Sequence, residues 1–225
     1  MNSLSDTRSD LRYSAVVGSL SPVGVLPKRI VDIVLALGGI ILLAPLLVIC
    51  YVAVVLSSPG PALFRHKRVG FNGRKFECLK FRTMVPDAAE RLQALLASDP
   101  AAAAEWAATR KLQNDPRVTA IGAILRKSSL DELPQLFNVL RGEMSIVGPR
   151  PVTEEELERY STSVGAYLSC RPGITGLWQV SGRSDTSYAY RITLDTQYVL
   201  RPSMRTDMKI LVKTVKVVLR GYGAV

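Results

Sequence analysis

An α+β, mostly helical fold carried on one N-terminal membrane helix is the class this sequence predicts, and three observations predict it. From Ile33 to Phe64 no charged residue occurs, so one helix is apolar enough to enter a bilayer. Around Asn72-Gly73, short apolar and basic pieces alternate as in a small paired-strand unit. The remainder holds helical periodicities separated by Gly- and Pro-rich loops.

Composition narrows the classes. A chain of 225 residues buries a core without disulfides, and Cys50, Cys78 and Cys170 form no C-x-x-C pair, so they read as reduced thiols in a cytoplasm-like milieu. His66 is the only histidine, which excludes a multi-histidine metal site and leaves oxygen ligands for any metal. The formal charge of +10 requires an anionic counterpart: nucleic acid, an anionic leaflet or phosphorylated substrates. The long apolar run and a mean hydropathy of +0.17 favour the membrane, and no aromatic-basic ribbon or nucleic-acid module is present.

Residues 1–27, rich in Ser, Asp and Arg and broken by Pro22 and Pro27, read as a mobile tail. Residues 28–58 read as a re-entrant membrane helix. The stretch Ile33 to Leu56 is long enough to cross a hydrocarbon core of roughly 30 Å. It is too long for a signal-peptide h-region, and Ser57-Ser58-Pro59-Gly60 is no A-x-A-like cleavage site. Lys28 and Arg29 precede the run while Arg65, Lys67, Arg68, Arg74 and Lys75 follow it, so both ends belong on the cytoplasmic side. A simple span places only one end there; Pro45, near the middle, supplies the bend that lets the helix return.

Residues 59–225 read as a compact cytoplasmic domain with interfacial amphipathic helices. Residues 64–84 predict a hairpin turning at Asn72-Gly73 and projecting Lys67, Arg68, Lys80 and Arg82. Residues 87–113 predict a covering helical hairpin interrupted at Asp99-Pro100. A last helix is expected to start at Ser203 as N-cap and stop at Gly221. On it Arg205, Lys209, Lys213, Lys216 and Arg220 lie opposite Met204, Met208, Leu211, Val215 and Val218. Such a helix either packs on the core with a solvated basic face or rests near an anionic membrane surface.

Between these elements lies the segment that carries chemistry. Leu133, Leu136, Phe137 and Leu140 recur at i, i+3, i+4 and i+7, giving an amphipathic helix that ends near Gly142. Ser129-x-x-Glu132 matches a capping box, but that start puts Pro134 at the fifth helical position, where its missing N–H removes a bond to Leu130. A cap at Asp131 fits the proline better. The adjacent carboxylates Asp131 and Glu132, with Arg126 and Lys127 before them and Arg150 after, have two readings. They are helix-end ion pairs, or they gather phosphate oxygens and a magnesium ion for phosphoryl transfer. In the second reading one carboxylate is the nucleophile, its neighbour holds the metal, and no histidine is needed.

Longer motifs stand in a fixed order: Lys28-Arg29 with Asp32, Pro45, Phe81-Arg82-Thr83-Met84, Ser129-Leu130-Asp131-Glu132-Leu133-Pro134-Gln135, Gly148-Pro149-Arg150-Pro151, and Arg171-Pro172-Gly173-Ile174-Thr175-Gly176. In these the chain resembles, from Lys28 to Leu219, the monotopic phosphoglycosyl transferases, also called bacterial sugar transferases. It departs from them at the bend, where Ala44-Pro45 stands in place of the frequent Ser-Pro.

The resemblance implies a monotopic membrane protein with a re-entrant helix, acting on the cytoplasmic face of the bacterial inner membrane by a magnesium-dependent ping-pong reaction. It implies that Asp131 is the nucleophile toward the sugar-bearing phosphate of a UDP-sugar, expelling UMP, and that Glu132 with Asp131 holds Mg2+. Lys80, Arg82, Arg126, Arg150, Pro151, Arg171, Gln179 and Arg183 are implied as substrate-binding residues. The implied acceptor is a polyprenyl phosphate, undecaprenyl phosphate in most bacteria. The stretch Gly176 to Arg183 resembles members that use UDP-galactose or UDP-glucose in exopolysaccharide synthesis. Trp178 reads as a core or interface aromatic at least as readily as a sugar platform. Membrane lipids are expected partners, a homo-oligomer is left open, and nucleic acid is not expected. The rival reading is a membrane-tethered scaffold without catalysis, for which neutralising Asp131 leaves function intact.

Overall fold

Thirty-three residues of mostly apolar sequence form one helix, α1 (Val25–Ser57), with Pro45 inside it. The computed structural model describes residues 25–109, 112–182 and 187–220; residues 1–24 of the expected tail, the stop at Gly221 and Arg183 lie outside them, and residues 25–27, expected in that tail, are the first turn of α1. At about 1.5 Å per residue α1 is about 50 Å long. Only 11% of its most apolar stretch is buried, unlike the core helix of a soluble protein.

What is buried on α1 is one stripe at helical spacing: Asp32, Ala36, Cys50 and Val54, with Ile40, Leu46 and Leu47 partly covered between them. Both ends are bonded to the same domain. Near the start, Lys28 Nζ lies 2.7 Å from Asp207, Arg29 donates to the Val139 carbonyl at 2.6 Å, and Asp32 accepts from Ser145 Oγ and the Ile146 N–H. At the far end Arg82 donates to the carbonyls of Ser58 and Pro59 at 2.6 and 2.7 Å.

The expected hairpin forms from β1 (Leu63–Val69) and β2 (Lys75–Phe81), antiparallel, with Phe64 opposite Lys80 and Arg68 opposite Phe76. Asn72 and Gly73 take φ of 55° and 75°, the left-handed region that Asn and Gly tolerate, in a short 3-10 turn over Phe71–Gly73. Helices α2 (Ala88–Ser98) and α3 (Pro100–Thr109) break at Asp99, whose Oδ1 accepts from the Ala101 and Ala102 N–H groups. No residue of α2 is buried, so this hairpin covers less of the domain than the sequence implied.

Helix α4 (Ala120–Ser128) starts on a Thr119 cap that accepts from the Gly122 N–H. Here the structure corrects both proposed starts of the following helix. Ser129, at φ 58°, is the left-handed C-cap of α4, and its side chain makes no capping bond. Asp131 and Glu132 lie in a separate 3-10 turn (Leu130–Glu132), and α5 (Gln135–Arg141) begins only after Pro134. The proline, which donates no N–H, is tolerated at a helix start and not inside a longer helix. Gly142, at φ 80°, ends α5 as expected.

Strands β3 (Ser145–Val147) and β4 (Gly173–Thr175) pair in parallel and bring the two Gly-Pro motifs together. Gly148 N–H donates to the Thr175 carbonyl and Gly173 N–H to that of Pro149, at 2.9 and 2.7 Å. A Cβ on Gly148 would meet the Arg171 carbonyl at 2.6 Å, so this backbone-on-backbone contact requires glycine. Helices α6 (Glu154–Glu158), α7 (Val164–Leu168) and α8 (Tyr188–Leu200) close the domain.

Helix α9 (Met204–Arg220) has three faces where the sequence implied two. Asp207 and Ile210 are buried in the domain, with Leu211 partly covered beside them. Met204, Met208, Val212 and Val215 form an exposed apolar row, and Arg205, Lys209, Lys213 and Lys216 an exposed basic one. The side chains of Val218 and Arg220 lie outside the description.

Burial pushes the Asp195 carboxyl on α8 up to about 7 from 3.8, although Tyr160 donates to its Oδ2 at 2.8 Å. The folded state therefore holds this proton more tightly than the unfolded chain. The stabilising contribution is full below pH 3.8 and is lost as pH rises through about 7. At about 1.4 kcal/mol per pH unit, the loss is a few kcal/mol. We expect Asp195→Asn to remove this decline, so that thermal unfolding of the variant gains on wild type between pH 5 and pH 8. A gap that stays constant with pH refutes the assignment.

Candidate active site

The left-handed Ser129 turns the chain sharply, and the 3-10 turn after it sets Asp131 and Glu132 against β2. There Lys80 Nζ stands 2.6 Å from Glu132 Oε1 and 3.8 Å from Asp131 Oδ2. Arg150, carried on the loop after β3, places Nη1 3.8 Å from the same Glu132 oxygen. Arg126, in the last turn of α4, donates from Nε to Thr83 Oγ1 at 2.9 Å, and its charge acts on Asp131.

The Asp131 side chain is 13% exposed. Burial raises its carboxyl above the usual range, Lys80 opposes the rise, Glu132 adds to it, and Arg126 opposes it again. The result is a poorly solvated carboxyl group faced by neighbouring cations, an environment unlike that of a solvated helix cap.

A cleft opens beside the pair. Of the residues expected at the substrate, Lys80, Glu132, Arg150, Pro151 and Gln179 line it. Gln179 donates to the Ile174 carbonyl at 2.8 Å, and its buried amide oxygen has no partner. Trp178 is buried, with Arg191 4.6 Å over its ring, so it is a core aromatic and not a sugar platform.

Asp131 and Arg126 stand beside the cleft without lining it, and Arg82 and Arg171 are placed elsewhere. The Arg82 guanidinium is committed to carbonyls at the end of α1, and Arg171 donates to the Gly142 carbonyl at 2.7 Å at the end of α5. Helix ends leave carbonyls unpaired, and both arginines answer that need. Arg68, Cys78, Gln135 and Ile174 also line the cleft but were not singled out as site residues from sequence. Strand alternation was the available signal for Arg68. It lies on the face of β1 that meets Cys78 and Lys80, while Lys67 points the other way and is exposed. Glu156 holds Arg68 at 2.6 Å.

Two adjacent carboxylates are an oxygen-only donor set, and among the described residues no group of three or more His, Cys, Asp or Glu is placed to hold a metal. Magnesium binds proteins through one or two carboxylates and completes its shell with substrate phosphates and water, so the pair fits that ion in company with a phosphate.

The description "bacterial sugar transferase" belongs to the family model that matches residues 23–221. The chain is 50% identical over 207 residues to an exopolysaccharide production protein ExoY of Sinorhizobium fredii, covering 92% of each chain. It is 52% identical over 197 residues to the undecaprenyl-phosphate galactose phosphotransferase of Salmonella typhimurium, covering 88% of this chain and 41% of that longer one. It is 39% identical to the UDP-glucose:undecaprenyl-phosphate glucose-1-phosphate transferase of Caulobacter vibrioides, across 100% of this chain and 84% of the relative. The chain belongs to the bacterial sugar transferase family, a family of phosphoglycosyl transferases.

Proposed function

We propose that this enzyme transfers a hexose-1-phosphate from a UDP-sugar to undecaprenyl phosphate, releasing UMP through an aspartyl-phosphosugar intermediate, as the first membrane step of exopolysaccharide synthesis. The observation that carries the reading is the half-buried Asp131–Glu132 pair ringed by Lys80, Arg126 and Arg150 at an open cleft. The relatives' names supply the donor and acceptor classes. Galactose is the first choice of sugar, because the relatives named for galactose are more identical than those named for glucose.

In this mechanism an Asp131 oxygen attacks the phosphorus that bears the sugar. The bond from that phosphorus to the bridging oxygen breaks, and UMP leaves with the electron pair. An undecaprenyl phosphate oxygen then attacks the same phosphorus, breaks the bond to Asp131 and restores the carboxylate. Neither step requires a proton from the protein. Lys80 and Arg150 hold phosphate oxygens in line for attack. Magnesium, held by Glu132 and Asp131 when bound, would neutralise charge on the diphosphate.

A monotopic arrangement on the cytoplasmic face of the inner membrane is supported by α1. A straight span carries one end about 30 Å away from a domain on one side of the bilayer, whereas both ends of α1 are bonded to one domain. The exposed apolar and basic rows of α9 suit an anionic lipid surface. Pro45→Ala is expected to favour a span, moving a cysteine placed in residues 1–24 out of reach of a cytoplasmic labelling reagent. Unchanged labelling removes the proline from the argument.

The direct test is UMP release by purified protein in nanodiscs from a panel of UDP-sugars, with and without magnesium and undecaprenyl phosphate. Release that requires the metal and yields a lipid-linked sugar phosphate establishes the reaction and names the sugar. No release from any UDP-sugar by folded protein rejects it.

A further inference from the structure

Lys80 projects from β2, opposite Phe64, onto the acidic pair. Its side chain is 23% exposed, and its ammonium spans from Glu132 Oε1 at 2.6 Å to Asp131 Oδ2 at 3.8 Å. Arg150 reaches the same Glu132 oxygen at 3.8 Å. Arg126, held at Thr83, adds a further positive charge that acts on Asp131. A donor diphosphate adds negative charge and a divalent cation adds positive charge. Both fit without like charges in contact only if the cation takes the carboxylates and the Lys80 and Arg150 side chains turn to phosphate. An ammonium and a divalent ion on one carboxylate oxygen repel strongly in a half-buried site. Lysine suits such an exchange, because its compact charge sits on a flexible four-carbon stem that moves without its strand.

We propose that Lys80 is the resident counter-ion of the Asp131–Glu132 pair, competing with the divalent metal for it and passing to the donor's phosphates when the metal binds. Metal and nucleotide therefore bind synergistically, each removing an obstacle to the other. The nucleotide half of this inference rests on the proposed transfer reaction. The competition itself rests only on Glu132 as a metal ligand.

The test is Mn2+ binding to full-length protein in detergent, followed by the electron paramagnetic resonance of free Mn2+, with and without UDP and corrected for Mn2+–UDP association. Wild type is compared with Lys80→Met, Lys80→Arg and Glu132→Gln. Without nucleotide, Lys80→Met is expected to bind Mn2+ about tenfold more tightly than wild type, and Lys80→Arg, which keeps the charge, no more tightly. UDP is expected to tighten Mn2+ binding to wild type by a similar factor and to change Lys80→Met little. Equal or weaker binding by Lys80→Met, with Glu132→Gln still impaired, overturns the competition and leaves the metal site standing. Unchanged binding by Glu132→Gln overturns the metal site itself, and the competition with it. A wild type that UDP does not tighten overturns the synergy.

Discussion

Asp131→Asn is expected to abolish UMP release and lipid-linked product, by about four orders of magnitude or more, the scale of losing a covalent nucleophile. The change is nearly isosteric. The backbone bonds that shape the turn, Glu132 N–H to the Ser129 carbonyl and Leu133 N–H to that of Leu130, do not involve the side chain. Lys80 keeps its 2.6 Å contact with Glu132. Fold and membrane insertion are therefore expected to survive while a neutral amide replaces the attacking oxygen. Mass spectrometry of the intact protein mixed with donor alone adds a second readout: a phosphosugar adduct on wild type and none on the variant. Turnover near wild type rejects the covalent mechanism, and full biological function without turnover supports a scaffold.

Arg82→Met is expected to destabilise the protein by about 3 kcal/mol, the order found when a buried charged donor is removed and its acceptors are left unpaired. Arg82 is 9% exposed and donates to Ser58 and Pro59 carbonyls just beyond α1, with a longer contact to that of Val54. These bonds fasten the exit of the membrane helix to the strand that carries Lys80. Methionine fills much of the volume but offers no donor, and lysine cannot reproduce the fork. The expected result is a lowered unfolding temperature and faster proteolysis around residues 58–62, with the donor KM of the folded fraction unchanged. An unchanged unfolding temperature with a raised donor KM returns Arg82 to the substrate contact that the family resemblance implies.

The two predictions separate residues that look alike in sequence. Asp131 and Arg82 both sit in family motifs, yet one lies beside Lys80, which lines the cleft, and the other at a helix end. The family resemblance implies substrate-binding roles for the arginines at 82 and 171, because motif membership says that a side chain matters without saying what it touches. Which carbonyls are left without partners depends on where α1 and α5 stop, and a linear pattern does not carry that information. Arg68 was passed over for the converse reason. It stands in none of the quoted motifs and was named only among the projecting cations of the hairpin, and its place in the cleft follows from a strand register and from Glu156, far along the chain.

By itself the sequence determined the features that arise within a few turns of one segment. These are the apolar length of α1, the hairpin turn at Asn72-Gly73, the helix break at Asp99-Pro100, the stop at Gly142, and the adjacent acids flanked by basic residues. Each is set by side-chain periodicity, by the backbone freedom of Gly and Asn, or by the missing N–H of proline, all of which act locally. Only the tertiary structure decided that Lys80 pairs with the acids, that the helix after them starts beyond Pro134, that α9 has three faces, and which groups of the domain bond to the two ends of α1. Those outcomes depend on groups brought together from distant parts of the chain, where burial and unpaired polar atoms choose the partner.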